Sequence, residues 1–217
     1  MTDKPRLNHT PSFPVRLPAT APGLTVGLYG GSFNPPHAGH RLVSELALER
    51  LRLDRVWWIV TPGNPLKNTS GLPGLKDRMA ACRRIARSPR FIITGFEESL
   101  NSRYTVDTLR YLKKRRPDVR FVWIMGADNL ATFHLWEDWQ DIVDDVLIAV
   151  VDRPGATLKA QNSRAGRFLA RRRLPSQRAA ALTRRRPPCW TYLYGPRSAA
   201  SSTELRRRGV GVEKQET

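Results

Sequence analysis

Two cysteines, Cys82 and Cys189, are all the chain has. That excludes a disulfide framework and, from cysteines alone, a four-ligand zinc site. No apolar run approaches the roughly 20 residues that a membrane-spanning helix needs. The longest aliphatic stretch, Val146 to Val151, is the size of a strand. The N-terminus lacks the apolar segment of a secretory signal. Acidic side chains are scarce too: 19 Asp and Glu face 37 Lys and Arg, a net charge of +18 over 217 residues. These absences point to a reducing, cytoplasmic setting and to no membrane partner.

The positive excess is uneven. Residues 1–150 carry 21 basic and 15 acidic side chains, and residues 151–217 carry 16 and 4. A basic field attracts polyanions such as nucleotides or nucleic acid. A surface filled with arginine by compositional bias would give the same count.

Five prolines fall within residues 1–23 (Pro5, Pro11, Pro14, Pro18 and Pro22), with no periodic apolar pattern. This stretch reads as an extended or disordered extension. An alternation then begins. Leu24 to Tyr29, Val56 to Val60, Phe91 to Thr94, Arg120 to Met125, Val146 to Val151 and Trp190 to Tyr194 read as strands. His37 to Leu51, Leu75 to Ser88, Thr105 to Arg116, Trp136 to Val143 and Ser202 to Arg208 read as helices. Short apolar strands alternating with helices predict a doubly wound, Rossmann-like parallel sheet, helices on both faces, in one domain over 24–208. In such sheets ligands bind beyond the carboxyl ends of the strands. The arginine-rich segment at about 158–188 reads as a solvated helix or a partly ordered insertion, and 209–217 as a tail.

The first strand runs into Gly30-Gly31-Ser32-Phe33-Asn34-Pro35-Pro36-His37-Ala38-Gly39-His40. Two glycines let a backbone turn tightly and approach a ligand. A helix that starts near His37 offers free N–H groups and a dipole to an anion. His37 and His40, three apart, share one helix face. The pattern is neither G-x-G-x-x-G nor a Walker A loop, which disfavours the usual dinucleotide and P-loop readings.

This segment resembles the signature of the nucleotidyltransferases with an H-x-G-H motif, and more narrowly of bacterial nicotinate-nucleotide adenylyltransferases. The likeness runs from about Leu24 to Arg208. It includes Pro65-Leu66-Lys67, Tyr104 to Leu109, Gly126-Ala127-Asp128-Asn129-Leu130, Phe133 to Trp139, Arg153-Pro154-Gly155 and Ser201 to Arg206. It implies transfer of an adenylyl group from ATP to nicotinate mononucleotide, giving deamido-NAD and pyrophosphate with Mg2+ and no covalent enzyme intermediate. The metal is expected through the ATP phosphates rather than on protein ligands.

The resemblance also implies roles. His37, His40 and Arg206 are the expected catalytic group. Gly30, Gly31, Ser32, Phe33, Lys67, Ser201, Ser202 and Thr203 are expected around ATP and its phosphates. Thr105, Asp128 and Trp136 are expected around the mononucleotide. Several keep a structural alternative. Lys67 fits an ordinary surface lysine, Asp128 a helix cap and Trp136 core packing. Thr105 fits an N-cap, and Arg153 either a phosphate contact or an ion pair. Ser201 and Glu204 also form a capping-box pattern. Two rival readings stand beside this one. The first is an adenylyltransferase for another acceptor, nicotinamide mononucleotide or phosphopantetheine. The second is a basic nucleic-acid-binding protein, which leaves the histidine loop unexplained.

Overall fold

The computed structural model describes residues 16–63, 71–100, 102, 104–196, 198 and 200–211. Seven parallel strands form one sheet: β1 (Thr25–Gly31), β2 (Arg55–Val60), β3 (Phe91–Thr94), β4 (Arg120–Gly126), β5 (Leu147–Val151), β6 (Arg173–Leu174) and β7 (Trp190–Leu193). Their order across the sheet is β3-β2-β1-β4-β5-β7-β6. The doubly wound α/β architecture expected from the sequence is therefore the observed one.

The strands are continuous apolar runs because both faces are covered. Trp57 belongs to the core on one face and Trp58, one residue on, to the core on the other; both are fully buried. The helices α3 (Thr105–Arg115), α4 (Ala127–Thr132), α5 (Trp139–Asp145) and α6 (Thr157–Gln161) supply the first core with Val106, Leu109, Leu130, Ile142 and Ala160. The helices α1 (Ala38–Arg50) and α2 (Leu75–Ala86) supply the second with Val43, Ala47, Leu75 and Met79. Burying each large apolar side chain contributes roughly 2–3 kcal/mol before conformational entropy is set against it.

Two local readings change. A helix was expected from Trp136, but Phe133–Leu135 is a 3-10 turn whose extended cap is Trp136, and α5 starts at Trp139. The break lies at Asp138, in the left-handed region with φ 46°. The arginine-rich segment is not solvated throughout. It forms α6, α7 (Arg164–Leu169), the edge strand β6 and a 3-10 stretch over Ser176–Arg184, and it buries Ala160, Ala165, Leu169, Leu174, Ala179 and Leu182. Three alanines and three leucines, spaced among arginines, anchor it.

Strands β1 and β4 are neighbours, and the chain leaves them in opposite directions across the sheet. The loops after these two strands thus flank the switch point of the sheet, the place where such folds bind ligands.

Candidate active site

At the end of β1 the chain turns through Ser32 to Pro36 and enters α1. Cβ atoms at Gly30 and Gly31 would meet the Trp123 indole at 2.8 Å and the Phe33 ring at 3.3 Å. These glycines make room for core rings. The Phe33 ring is 1% exposed and stacks on Trp58, with centroids 5.1 Å apart and planes 5° apart. Only the backbone of Phe33 therefore faces the loop.

His37 is the N-cap of α1. Its Nδ1 accepts the Gly39 backbone N–H at 3.1 Å, and His40 Nδ1 accepts the His37 backbone N–H at 3.1 Å. Two histidines thus make the reciprocal arrangement that Ser and Glu make in a capping box. Their ring centroids lie 3.9 Å apart. With both Nδ1 atoms accepting, the neutral imidazoles carry their protons on Nε2. Burial, helped by the nearby Arg153 cation, pushes the His37 pKa down to about 4. Burial, then His37 and Arg153, pushes His40 well below its ordinary value. The pair is two neutral N–H donors side by side at the switch point.

Around the pair stand Asp128 and Arg153. Asp128 follows β4 in the first turn of α4; the N-cap there is Gly126, so the capping role weighed for Asp128 is not the one observed. Its carboxylate meets Arg153 Nη1 at 3.4 Å. Arg153 Nη2 also donates to the Ala200 carbonyl at 3.3 Å. Arg153 thus ties the end of β5 to α4 and to the C-terminal segment.

That segment lies over the histidine loop. In α8 (Ser202–Arg207), Arg206 donates to the Asn34 carbonyl, and Ser202 Oγ donates to the Pro35 carbonyl at 2.9 Å. A Cβ on Gly39 would lie 2.9 Å from the His37 ring and 3.3 Å from the Ala200 carbonyl, so only glycine leaves room for this approach. Ser201 caps α8 by accepting the Glu204 N–H at 3.1 Å. The other half of the expected capping box is replaced: Glu204 accepts from Arg208 Nε at 2.9 Å. Thr203 Oγ1 accepts from Arg206 Nη2 at 3.4 Å.

Trp136 is half-buried. It packs edge-on against Phe133 and Trp123, with ring centroids at 5.3 Å and 6.2 Å. Thr105 is the first residue of α3, whose N-cap is Tyr104, so Thr105 is not the cap. Lys67 lies outside the described residues.

The sequence reading missed Arg78. This arginine is 2% exposed. Its Nη1 donates to the Ser32 and Thr61 carbonyls at 3.0 Å and 2.8 Å, and its Nε to the Pro73 carbonyl at 2.8 Å. It thereby joins the histidine loop, the end of β2 and the entry to α2. A signal was present: Arg78 falls on the apolar stripe Leu75, Met79, Cys82 of α2, where a charge is out of place unless it is bonded.

Among the described residues, no group of three or more His, Cys, Asp or Glu is placed to hold a metal ion. No helix among them is long and apolar enough to cross a membrane.

A cytidylyltransferase-like family model matches residues 28–208. A protein of Methylorubrum extorquens named "Probable nicotinate-nucleotide adenylyltransferase" is 55% identical over 185 residues, covering 85% of this chain and all of its own. One of the same name from Agrobacterium fabrum is 52% identical over 183 residues, covering 84% and 98%. The chain belongs to the nicotinate-nucleotide adenylyltransferase family. At the level of fold it is also similar to the Plasmodium falciparum nicotinic acid mononucleotide adenylyltransferase complexed with NaAD. That likeness has a TM-score of 0.64 at 16% identity, covering 85% of this chain and 83% of the other.

Proposed function

We propose that this chain transfers the adenylyl group of ATP to nicotinate mononucleotide. The observation that carries the reading is the pair of Nε2 donors at the β1/β4 switch point, fixed in place by backbone bonds to Nδ1. A phosphate oxygen of the mononucleotide attacks the α-phosphorus of ATP. The bond from that phosphorus to the bridging oxygen of the β-phosphate breaks in line, and pyrophosphate leaves with the electron pair. No enzyme nucleophile is used. Such a step asks for positioning and for donors aimed at the developing charge. Oriented N–H groups that need no rearrangement supply this.

His37 and His40 donate to the phosphate oxygens. Arg206, above the Asn34 carbonyl, adds charge on the same side. The backbone of Gly30 to Phe33 and the start of α8 at Ser201 to Thr203 enclose the triphosphate, with Lys67 as a further cation. Asp128 holds a ribose hydroxyl, Trp136 stacks on the pyridine ring with its open face, and Thr105 borders the ring's carboxylate. Mg2+ fits as the counterion of the ATP phosphates, since it binds through phosphates and few carboxylates. Asp128, the carboxylate at this edge, is already engaged by Arg153. Bound there, the ion would neutralise phosphate charge. The reaction belongs to the cytoplasm, where ATP is supplied.

The test is pyrophosphate release from ATP and Mg2+ with nicotinate mononucleotide, nicotinamide mononucleotide and phosphopantetheine in parallel. Release favouring the nicotinate form supports the reading. Release favouring another acceptor keeps the chemistry and overturns the substrate. No release with any of them overturns both.

A further inference from the structure

A groove of about 560 Å³ opens at the other end of the sheet, where β4 and β5 begin. Strand β4 separates it from Gly126 by seven residues, a span of roughly 20 Å. Six cations line it: Lys113, Arg116, Arg120, Arg184, Arg185 and Arg186. Among the described residues, Asp145 is the one carboxylate in the lining, and it is taken by Lys113. Among the described residues, none of the five arginines is in an ion pair. The Arg116 Nε is buried with no hydrogen-bond partner. Arg120 Nη1 donates to the Thr183 carbonyl at 2.9 Å, which holds the 184–186 run against the start of β4. The floor is apolar, with Leu109, Val119, Phe121 and Leu147. The volume lies in the range of small-molecule sites.

Like charges crowded without counter-charge repel one another, and an arginine fork matches phosphate oxygens in pairs. A triphosphate, with roughly four negative charges near neutral pH, balances most of the net positive lining. The C-terminal end of α3 also faces this region and opposes an anion with only about half a charge. We propose that this groove is a second ligand site, separate from the histidine site, and that it binds a polyphosphate anion. The apolar floor favours a nucleoside triphosphate over an inorganic chain, because a base covers it.

Titration calorimetry of the full chain at physiological salt tests this, with ATP and inorganic triphosphate as separate probes. The expected result is two ATP sites. Arg184→Glu/Arg185→Glu/Arg186→Glu, all on exposed positions, should weaken one of them by about 10-fold or more, with the other site and pyrophosphate release unchanged. Arg116→Gln should weaken the same site. His37→Ala/His40→Ala should keep it, so failure of the adenylyl-transfer reading leaves this result legible. ATP binding the groove more tightly than triphosphate supports the nucleoside source, and equal binding the inorganic one. The same ATP stoichiometry and affinity in the charge-reversed protein overturns the proposal. So does a single-stranded oligoribonucleotide that binds the three arginines far more tightly than either probe.

Discussion

His40 Nδ1 accepts the backbone N–H of His37 at 3.1 Å, so the second histidine holds the first one's backbone while the first caps the helix. The arrangement divides each imidazole in two. The Nδ1 side is structural, and among the described residues no hydrogen bond engages the Nε2 side. Substitutions can separate the two.

Asparagine at position 37 makes the separation. An Asn carbonyl is among the best N-caps, so His37→Asn keeps the bond to the Gly39 N–H and loses the Nε2 donor. Its melting temperature should stay close to that of the parent, while turnover falls on the order of 10²-fold. His37→Ala should show the same loss of turnover and also lose about 1 kcal/mol of stability. If the two variants melt alike, the capping role is wrong. If His37→Asn turns over normally, the donor role is wrong.

The low pKa of His37 has its own consequence. Burial, then Arg153, pushes it down to about 4, against 6.5 for the unfolded residue. Between these values the unfolded chain binds more protons, so stability falls as pH drops from 6.5 toward 4. Proton NMR of the ring C2–H should show His37 neutral down to pH 5. A titration midpoint near 6.5 for His37 would contradict its burial against Arg153.

Arg78 supports the histidine loop from beneath. Removing its guanidinium strands the Ser32, Thr61 and Pro73 carbonyls that it now serves. Arg78→Met should cost about 3 kcal/mol, read as a lower urea midpoint with an unchanged slope. Because Ser32 opens the loop, the KM for ATP should rise as well. A stable protein with unchanged KM would show that Arg78 positions nothing.

Particular residues show what the sequence made legible. Strands such as Val56 to Val60 announce themselves because burial on both faces leaves no polar alternation. The histidine loop is legible because its glycines and histidines are contiguous. The C-terminal segment over the histidine loop is harder to read. Arg206 reaches Asn34 and Ser202 reaches Pro35 across more than 160 residues, which no local pattern encodes. The 158–188 segment is opaque for a different reason: three leucines and three alanines pack it, spread among arginines over short helical turns, so no regular hydrophobic period shows. The true start of α5 is hidden because Asp138 takes a left-handed conformation that glycine or asparagine usually marks.

Glu97 gives the sharpest pH prediction. It sits in the 3-10 turn Phe96–Leu100, 4% exposed, and its Oε1 accepts the Thr108 hydroxyl at 2.6 Å. Burial outweighs that bond and pushes the carboxyl up to about 7 from 4.5. Between these values the folded state holds a proton that the unfolded state has lost. Stability contributed by the neutral acid is therefore full below pH 4.5 and declines as pH rises to 7, by about 3 kcal/mol in total. Glu97→Gln keeps an acceptor for Thr108 and cannot ionise. Its urea midpoint should match the parent's near pH 4.5 and exceed it by a growing margin up to pH 7, with no further change above. His37 titrates with the opposite sign in part of this range, but it does so in both proteins and cancels from the difference. A constant difference across the range would show that Glu97 titrates alike in the folded and unfolded chains, with no upward shift.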